Sequence, residues 1–169
     1  SCIYIRQPAP LGLGHAVLCS RPAVGDEPFY IHLADDLIDG GEACLKQMAR
    51  AFEARGSSVL GVETIDRSQT DKYGSVAVEP IEERLSLVKR IVEKPKPADA
   101  PSNLAVVGRY LLTPAVYGKL ATIGRGAGGE IQLTDGIAAL MHDEPVYAYA
   151  FEGRRFDCGS KLGYLEATV

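Results

Sequence analysis

An α/β fold, a layered sheet covered by helices, is what the sequence predicts, and three features carry that prediction. Residues 29–33 form a short β-rich run. Residues 42–55 carry Ala43, Leu45, Met48, Ala49 and Phe52 at helical spacing, opposite Lys46, Gln47, Arg50 and Glu53. Residues 59–62 are a second, buried-looking β segment. Strand, helix and strand in that order imply a parallel crossover, and β-rich segments dominate the second half.

The elements follow in order. Residues 2–6 read as a short strand that Pro8 and Pro10 stop. Gly12-Leu13-Gly14-His15 leads into residues 16–19, a short helix opening on a glycine loop. Gly25, Asp26 and Pro28 mark a turn before the run at 29–33. That run ends at Ala34-Asp35-Asp36, which leaves two acids at a strand's C-terminal end. Gly56 terminates the amphipathic helix. Tyr73-Gly74 opens a strand over 75–78, with 85–92 as its hairpin or meander neighbour. Three prolines make residues 94–101 a loop. Residues 105–112 are strand-like, and Pro114 starts a helix with Val116, Tyr117 and Leu120 on its apolar side. Four glycines make residues 124–129 a flexible loop, before a helix over 131–141 and a strand over 146–151. Residues 156–162 place Asp157 and Gly159 between two elements.

The 169 residues suit one domain, and no repeat or linker divides them. With 18 Lys and Arg against 22 Asp and Glu, the formal charge is −4, which excludes a nucleic-acid wrapper or a polybasic membrane anchor. A 46% apolar and 24% charged composition is that of a globular chain. No apolar run approaches the ~20 residues that span a bilayer. Cys2, Cys19, Cys44 and Cys158 contain no CxxC pair and read as free thiols of a reducing cytoplasm. Both ends read as cuts in a longer protein.

In open α/β sheets, ligands sit beyond the carboxyl ends of strands, so the acids placed there carry the chemical expectation. Asp35 and Asp36 follow one strand and Asp157 ends another stretch. Two carboxylates brought together from such distant parts of the chain could hold Mg²⁺, which takes hard oxygen ligands along with water and phosphates. The plainer reading makes Asp36 or Asp39 a helix cap or turn residue. Glu93-Lys94-Pro95 follows a β run, with Glu93 and Lys94 expected to point in opposite directions at a sheet edge. The ammonium suits a phosphate and the carboxylate suits sugar hydroxyls; a solvated pair in a turn is the alternative. Gly12-x-Gly14 lets backbone approach a base or ribose closely. The 124–129 loop lacks the GK[ST] of a Walker loop. His15, His32 and His142 stand alone, and Cys158 has no evident base partner.

Taken in order, the motifs are more specific than any one of them. Gln7, Gly12-Leu13-Gly14-His15-Ala16, Asp35-Asp36, Tyr73-Gly74, Val92-Glu93-Lys94-Pro95, Pro101-Ser102-Asn103-Leu104-Ala105, Val107-Gly108-Arg109-Tyr110, Gly129-Glu130-Ile131-Gln132-Leu133-Thr134-Asp135 and Asp157-Cys158-Gly159-Ser160-Lys161-Leu162-Gly163-Tyr164 closely resemble the bacterial UTP–glucose-1-phosphate uridylyltransferases. The resemblance covers essentially the whole chain. It implies a Rossmann-like nucleotidyltransferase fold, a mixed central sheet with helices on both faces, cut at both ends. It also implies a reaction, joining UTP and glucose 1-phosphate into UDP-glucose and pyrophosphate with Mg²⁺.

Roles follow from the same resemblance. Gln7 would read the uracil edge, and Gly12 would let the base lie against backbone. Asp35 would coordinate Mg²⁺, with Asp157 as a second ligand or its support. The backbone at Gly74 and Gly108, with Glu93, would bind glucose hydroxyls, and Asp36 would join the substrate-binding set. Lys94 would neutralise the sugar phosphate, and Glu130 would line the sugar side. Lys94 and Asp35 are thus the catalytic pair. The resemblance further implies a preceding glycine-rich signature that grips the triphosphate. Residues 1–169 have no counterpart, so the isolated chain is expected to be inactive or nearly so and the full-length protein to be an active homo-oligomer. Three alternatives stand beside this reading. One is a glucose-1-phosphate thymidylyltransferase. Another is a metal-dependent glycosyltransferase, whose DxD spacing Asp35-Asp36 lacks. The third is a sugar-nucleotide-binding fragment without turnover.

Overall fold

A computed structural model describes residues 2–169. Helices are α1 (Leu13–Val24), α2 (Cys44–Arg55), α3 (Ala115–Thr122), α4 (Leu133–Leu140) and α5 (Lys161–Thr168). Strands are β1 (Phe29–His32), β2 (Asp36–Asp39), β3 (Val59–Thr64), β4 (Gly74–Pro80), β5 (Leu85–Glu93), β6 (Leu104–Leu112), β7 (Tyr147–Ala150) and β8 (Arg154–Asp157). Six strands form one sheet in the order β1-β6-β3-β7-β5-β4, while β2 and β8 make a separate two-stranded ribbon. Every pairing in the large sheet is antiparallel except β3 with β7, so the sheet is mixed.

β6 organises the sheet. Its sequence LAVVGRYLL is almost continuously apolar, as suits a strand covered on both faces, and all but its first residue are buried. Successive side chains alternate between faces. Val106, Tyr110 and Leu112 join Leu60, Val116 and Leu133 in the larger core, beneath the mutually packed α1, α3 and α4. Val107 and Leu111 meet Met48, Ala51 and Val59 on the α2 face. Gly56 ends α2 in the left-handed conformation at φ 66°, where glycine lacks the Cβ clash.

Two expectations change. β1 and β3 are parallel, as a crossover requires, yet β6 lies between them and pairs antiparallel with both. Residues 2–6 are not a strand. Their side chains are exposed and they pair with no strand among the described residues, so a β-rich composition alone does not make an element.

Candidate active site

β1 and β4 share one edge of β6: β1 pairs along Arg109–Leu112, and β4 pairs only at Ala105 and Val106. Val107 and Gly108 fall between them. At this break lies a cleft of about 320 Å³, with Leu33 from the end of β1, Gly74 from β4 and Gly108 in its walls. Asp35, Asp36, Gly74, Glu93, Lys94, Gly108, Glu130 and Asp157 all line it. Gln7 and Gly12 stand outside that lining, although Leu13 belongs to it.

The β2–β8 ribbon delivers the acids. Asp36 pairs with Asp157 across it, and the Cys158 amide donates to the Asp35 carbonyl at 2.7 Å, so two distant segments end side by side. A Cβ built on Gly159 would stand 3.1 Å from both Asp157 Oδ1 and Asp35 Oδ2. The two oxygens are therefore no further apart than twice that distance. Asp157 is held by the Tyr73 hydroxyl at 2.7 Å and the Gly159 amide at 3.1 Å. The exposed Asp35 carboxylate makes no hydrogen bond or ion pair among the described residues.

Hard oxygen donors in this arrangement fit a Mg²⁺ ion, which keeps several waters and is typically bound by one or two carboxylates plus substrate phosphate. No group of three or more candidate metal-ligating side chains occurs among the described residues.

Asp36 and Gly108, expected to meet substrate, line the cleft with their polar groups already engaged. Asp36 is buried; its Oδ2 accepts from the Gly108 amide at 3.0 Å, and its Oδ1 is paired with Arg155 Nε. The Gly108 carbonyl accepts from the Leu33 amide and from Arg109, both at 2.9 Å. With those groups engaged, the two residues build the cleft wall. Gly108 cannot carry a side chain, since a Cβ would lie 2.5 Å from Asp36 Oδ2 and 2.8 Å from Leu33 Cβ.

Glu93 and Lys94 depart from strand alternation. Lys94 leaves β5 at φ 42°, the one positive φ at a residue other than glycine among the described residues. Its ammonium turns back to 3.8 Å from Glu93 Oε1, so both charges enter one cleft instead of pointing apart. Glu93 Oε2 accepts from the Thr134 hydroxyl at 2.9 Å. Gly74 pairs with Glu93 and Val106, and a Cβ there would press to 2.9 Å against the Thr134 methyl.

Sequence reasoning missed Arg155. Its side chain is 7% exposed and meets Asp36, Glu63 Oε2 at 3.5 Å and Asp157 Oδ2 at 3.8 Å, with the guanidinium 4.8 Å from the centre of the Tyr73 ring. Burial opposes its charge, but its contact with Tyr73 and its pairing with the Asp36 carboxylate outweigh it and hold the pKa above the ordinary arginine value. The available signal was its place two residues before Asp157, on the same strand face. Tyr73 and Thr134, quoted within motifs but given no role, hold Asp157 and Glu93.

Five carboxylates and three cations (Lys72, Lys94 and Arg155) line the cleft, so a polyanionic ligand needs a further cation to enter favourably. A family profile described as "Nucleotidyl transferase" matches residues 1–169. The chain belongs to the nucleotidyl transferase family. This nucleotidyl transferase is 48% identical to UTP–glucose-1-phosphate uridylyltransferase 2 of Staphylococcus saprophyticus, over 98% of the chain and 57% of that protein. It is 47% identical to the UTP–glucose-1-phosphate uridylyltransferase of Pseudomonas aeruginosa, over 98% of the chain and 60% of the relative. The chain thus spans less than two thirds of these relatives' length. It superposes on a UDP-glucose pyrophosphorylase complexed with UDP-glucose at TM-score 0.95, with 41% identity over 98% of this chain and 64% of the other. A UTP-bound UGPase from Acinetobacter baumannii gives TM-score 0.85 and 43% identity over 99% of this chain and 58% of that one. The mixed sheet with helices on both faces is the nucleotidyltransferase fold.

Proposed function

We propose that this chain supplies the sugar and metal side of a UTP–glucose-1-phosphate uridylyltransferase. A phosphate oxygen of glucose 1-phosphate attacks the α-phosphorus of UTP; the new P–O bond forms as the bond to the β-phosphate bridging oxygen breaks, and pyrophosphate leaves. Both reactants are anions, so positioning and charge neutralisation do the work, and no protein nucleophile is needed. Glu93, fixed by Thr134, accepts a glucose hydroxyl. Lys94 neutralises the sugar phosphate, and Glu130 borders the sugar. Asp35 and Asp157 would hold Mg²⁺, which offsets charge developing on the phosphoryl oxygens. A cytoplasmic setting belongs to the same reading and is supported by four free cysteines.

The observation that carries the proposal is the convergence of Asp35, Asp157, Glu93 and Lys94 on one cleft. Pyrophosphate release by the full-length protein, given UTP, glucose 1-phosphate and Mg²⁺, tests it. Turnover should require all three, and Lys94→Ala should cost about 2–4 kcal/mol of transition-state stabilisation. No pyrophosphate from the wild type, or a normal rate from the variant, would contradict it.

A further inference from the structure

Beside the cleft, His15 takes part in a hydrogen-bond chain that fixes the direction of an amide. The Gln7 side-chain nitrogen lies 3.1 Å from the Gly12 carbonyl and 2.9 Å from His15 Nδ1. A carbonyl only accepts, so it holds the nitrogen end of the amide toward Gly12. The second amide proton then meets Nδ1, which must carry a lone pair. In a neutral imidazole the remaining proton is on Nε2, and this nitrogen faces Cys19 Sγ at 3.9 Å, one helical turn along α1. Both Gln7 amide protons are thereby engaged, while Gln7 Oε1 makes no hydrogen bond among the described residues.

The support is rigid. The Gly14 amide donates to the Ile131 carbonyl at 2.9 Å, and the Ile131 amide donates to Leu11 at 2.7 Å. Gly12 adopts φ 98°, and a Cβ there would stand 2.7 Å from Glu130 Cβ, whose residue lines the cleft. The Gln7–Gly12–His15 unit thus sits against the cleft's rim.

We infer that His15 is a positioning residue: through Nδ1 it locks the Gln7 carboxamide so that only its oxygen is offered to a nucleobase. That oxygen selects bases with an N–H at ring position 3, uracil and thymine, against cytosine, whose N3 is an acceptor. The inference rests on the proposed function and on the base-reading role that the family resemblance implies for Gln7. Without the Nδ1 acceptor only the Gly12 carbonyl holds the amide, so its flipped orientation becomes more populated and the preference falls.

The test compares kcat/KM for UTP and CTP in the full-length protein. His15→Phe keeps a ring and removes the acceptor; the UTP-to-CTP ratio should fall about tenfold, the scale of one hydrogen bond, with the KM for glucose 1-phosphate unchanged. His15→Asn, whose amide oxygen can replace Nδ1 as acceptor, should restore most of the ratio. A His15→Phe protein with unchanged selectivity, or an Asn variant as poor as Phe, overturns the inference. ¹⁵N NMR of His15 in the wild type covers a variant that fails to fold. A proton on Nε2 is expected, and a proton on Nδ1 overturns the lock. Should the wild type not use UTP at all, the functional reading fails, while the NMR tautomer still decides the lock.

Discussion

Replacing Arg155 with methionine removes a cation from the most charge-dense buried spot near the cleft. In the folded protein the Asp36 side chain is 9% exposed and Arg155 is 7% exposed. Removing Arg155 therefore takes away the direct ion-pair partner of Asp36 and leaves the Gly108 amide on its carboxylate, with Arg109 nearby on its backbone carbonyl. Breaking a buried pair from one side costs about 3–5 kcal/mol, because the surviving charge is desolvated without its partner. For a chain of this size that lowers the melting temperature by roughly 6–20 °C. Urea denaturation of the full-length protein, followed by circular dichroism, reads the loss directly. The companion variant Asp36→Asn in the Arg155→Met background removes the stranded charge and leaves an oxygen for Gly108, so it should recover at least half of the lost stability. A loss below 1 kcal/mol in Arg155→Met, or no recovery in the double variant, would refute the role given to this pair.

Two further predictions concern the backbone and a thiol. Lys94 at φ 42° sits where a side chain is strained, so Lys94→Gly should be more stable than Lys94→Ala by about 1 kcal/mol in the same denaturation assay, with equal stability counting against the strain. Burial pushes the Cys44 thiol up to about 11, against a weaker opposing influence from Arg109. An acid whose folded pKa is raised adds stability that is complete below its unfolded pKa and lost as pH climbs through the folded value. Cys44 should therefore resist iodoacetamide at pH 8 until the protein unfolds, and its contribution should fade between about pH 9 and 11; labelling as fast as at exposed Cys2 would contradict this.

Long regular signals were legible in the sequence, and short or conformation-dependent ones were not. β6 and α2 declare themselves, the first by an unbroken apolar run and the second by its period and closing glycine. The β2–β8 ribbon does not, because each strand has four residues and the partners come from opposite ends of the chain. Asp36 could be found as a strand-end acid but not as the partner of Arg155, since that contact depends on the ribbon's register. Glu93 and Lys94 were recognised as a pair and their directions misjudged, because alternation stops where Lys94 turns to positive φ. His15 drew no role from sequence, since its meaning depends on which nitrogen faces Gln7.

The central claim is that Asp35 and Asp157 jointly hold a divalent cation within the cleft that Lys94 also lines. Titration of the full-length protein with Mn²⁺, read by electron paramagnetic resonance in the presence of UDP-glucose, tests it most directly. Asp35→Asn and Asp157→Asn should each weaken binding at least about tenfold while the fold stays intact. Wild-type affinity in both variants would contradict the account.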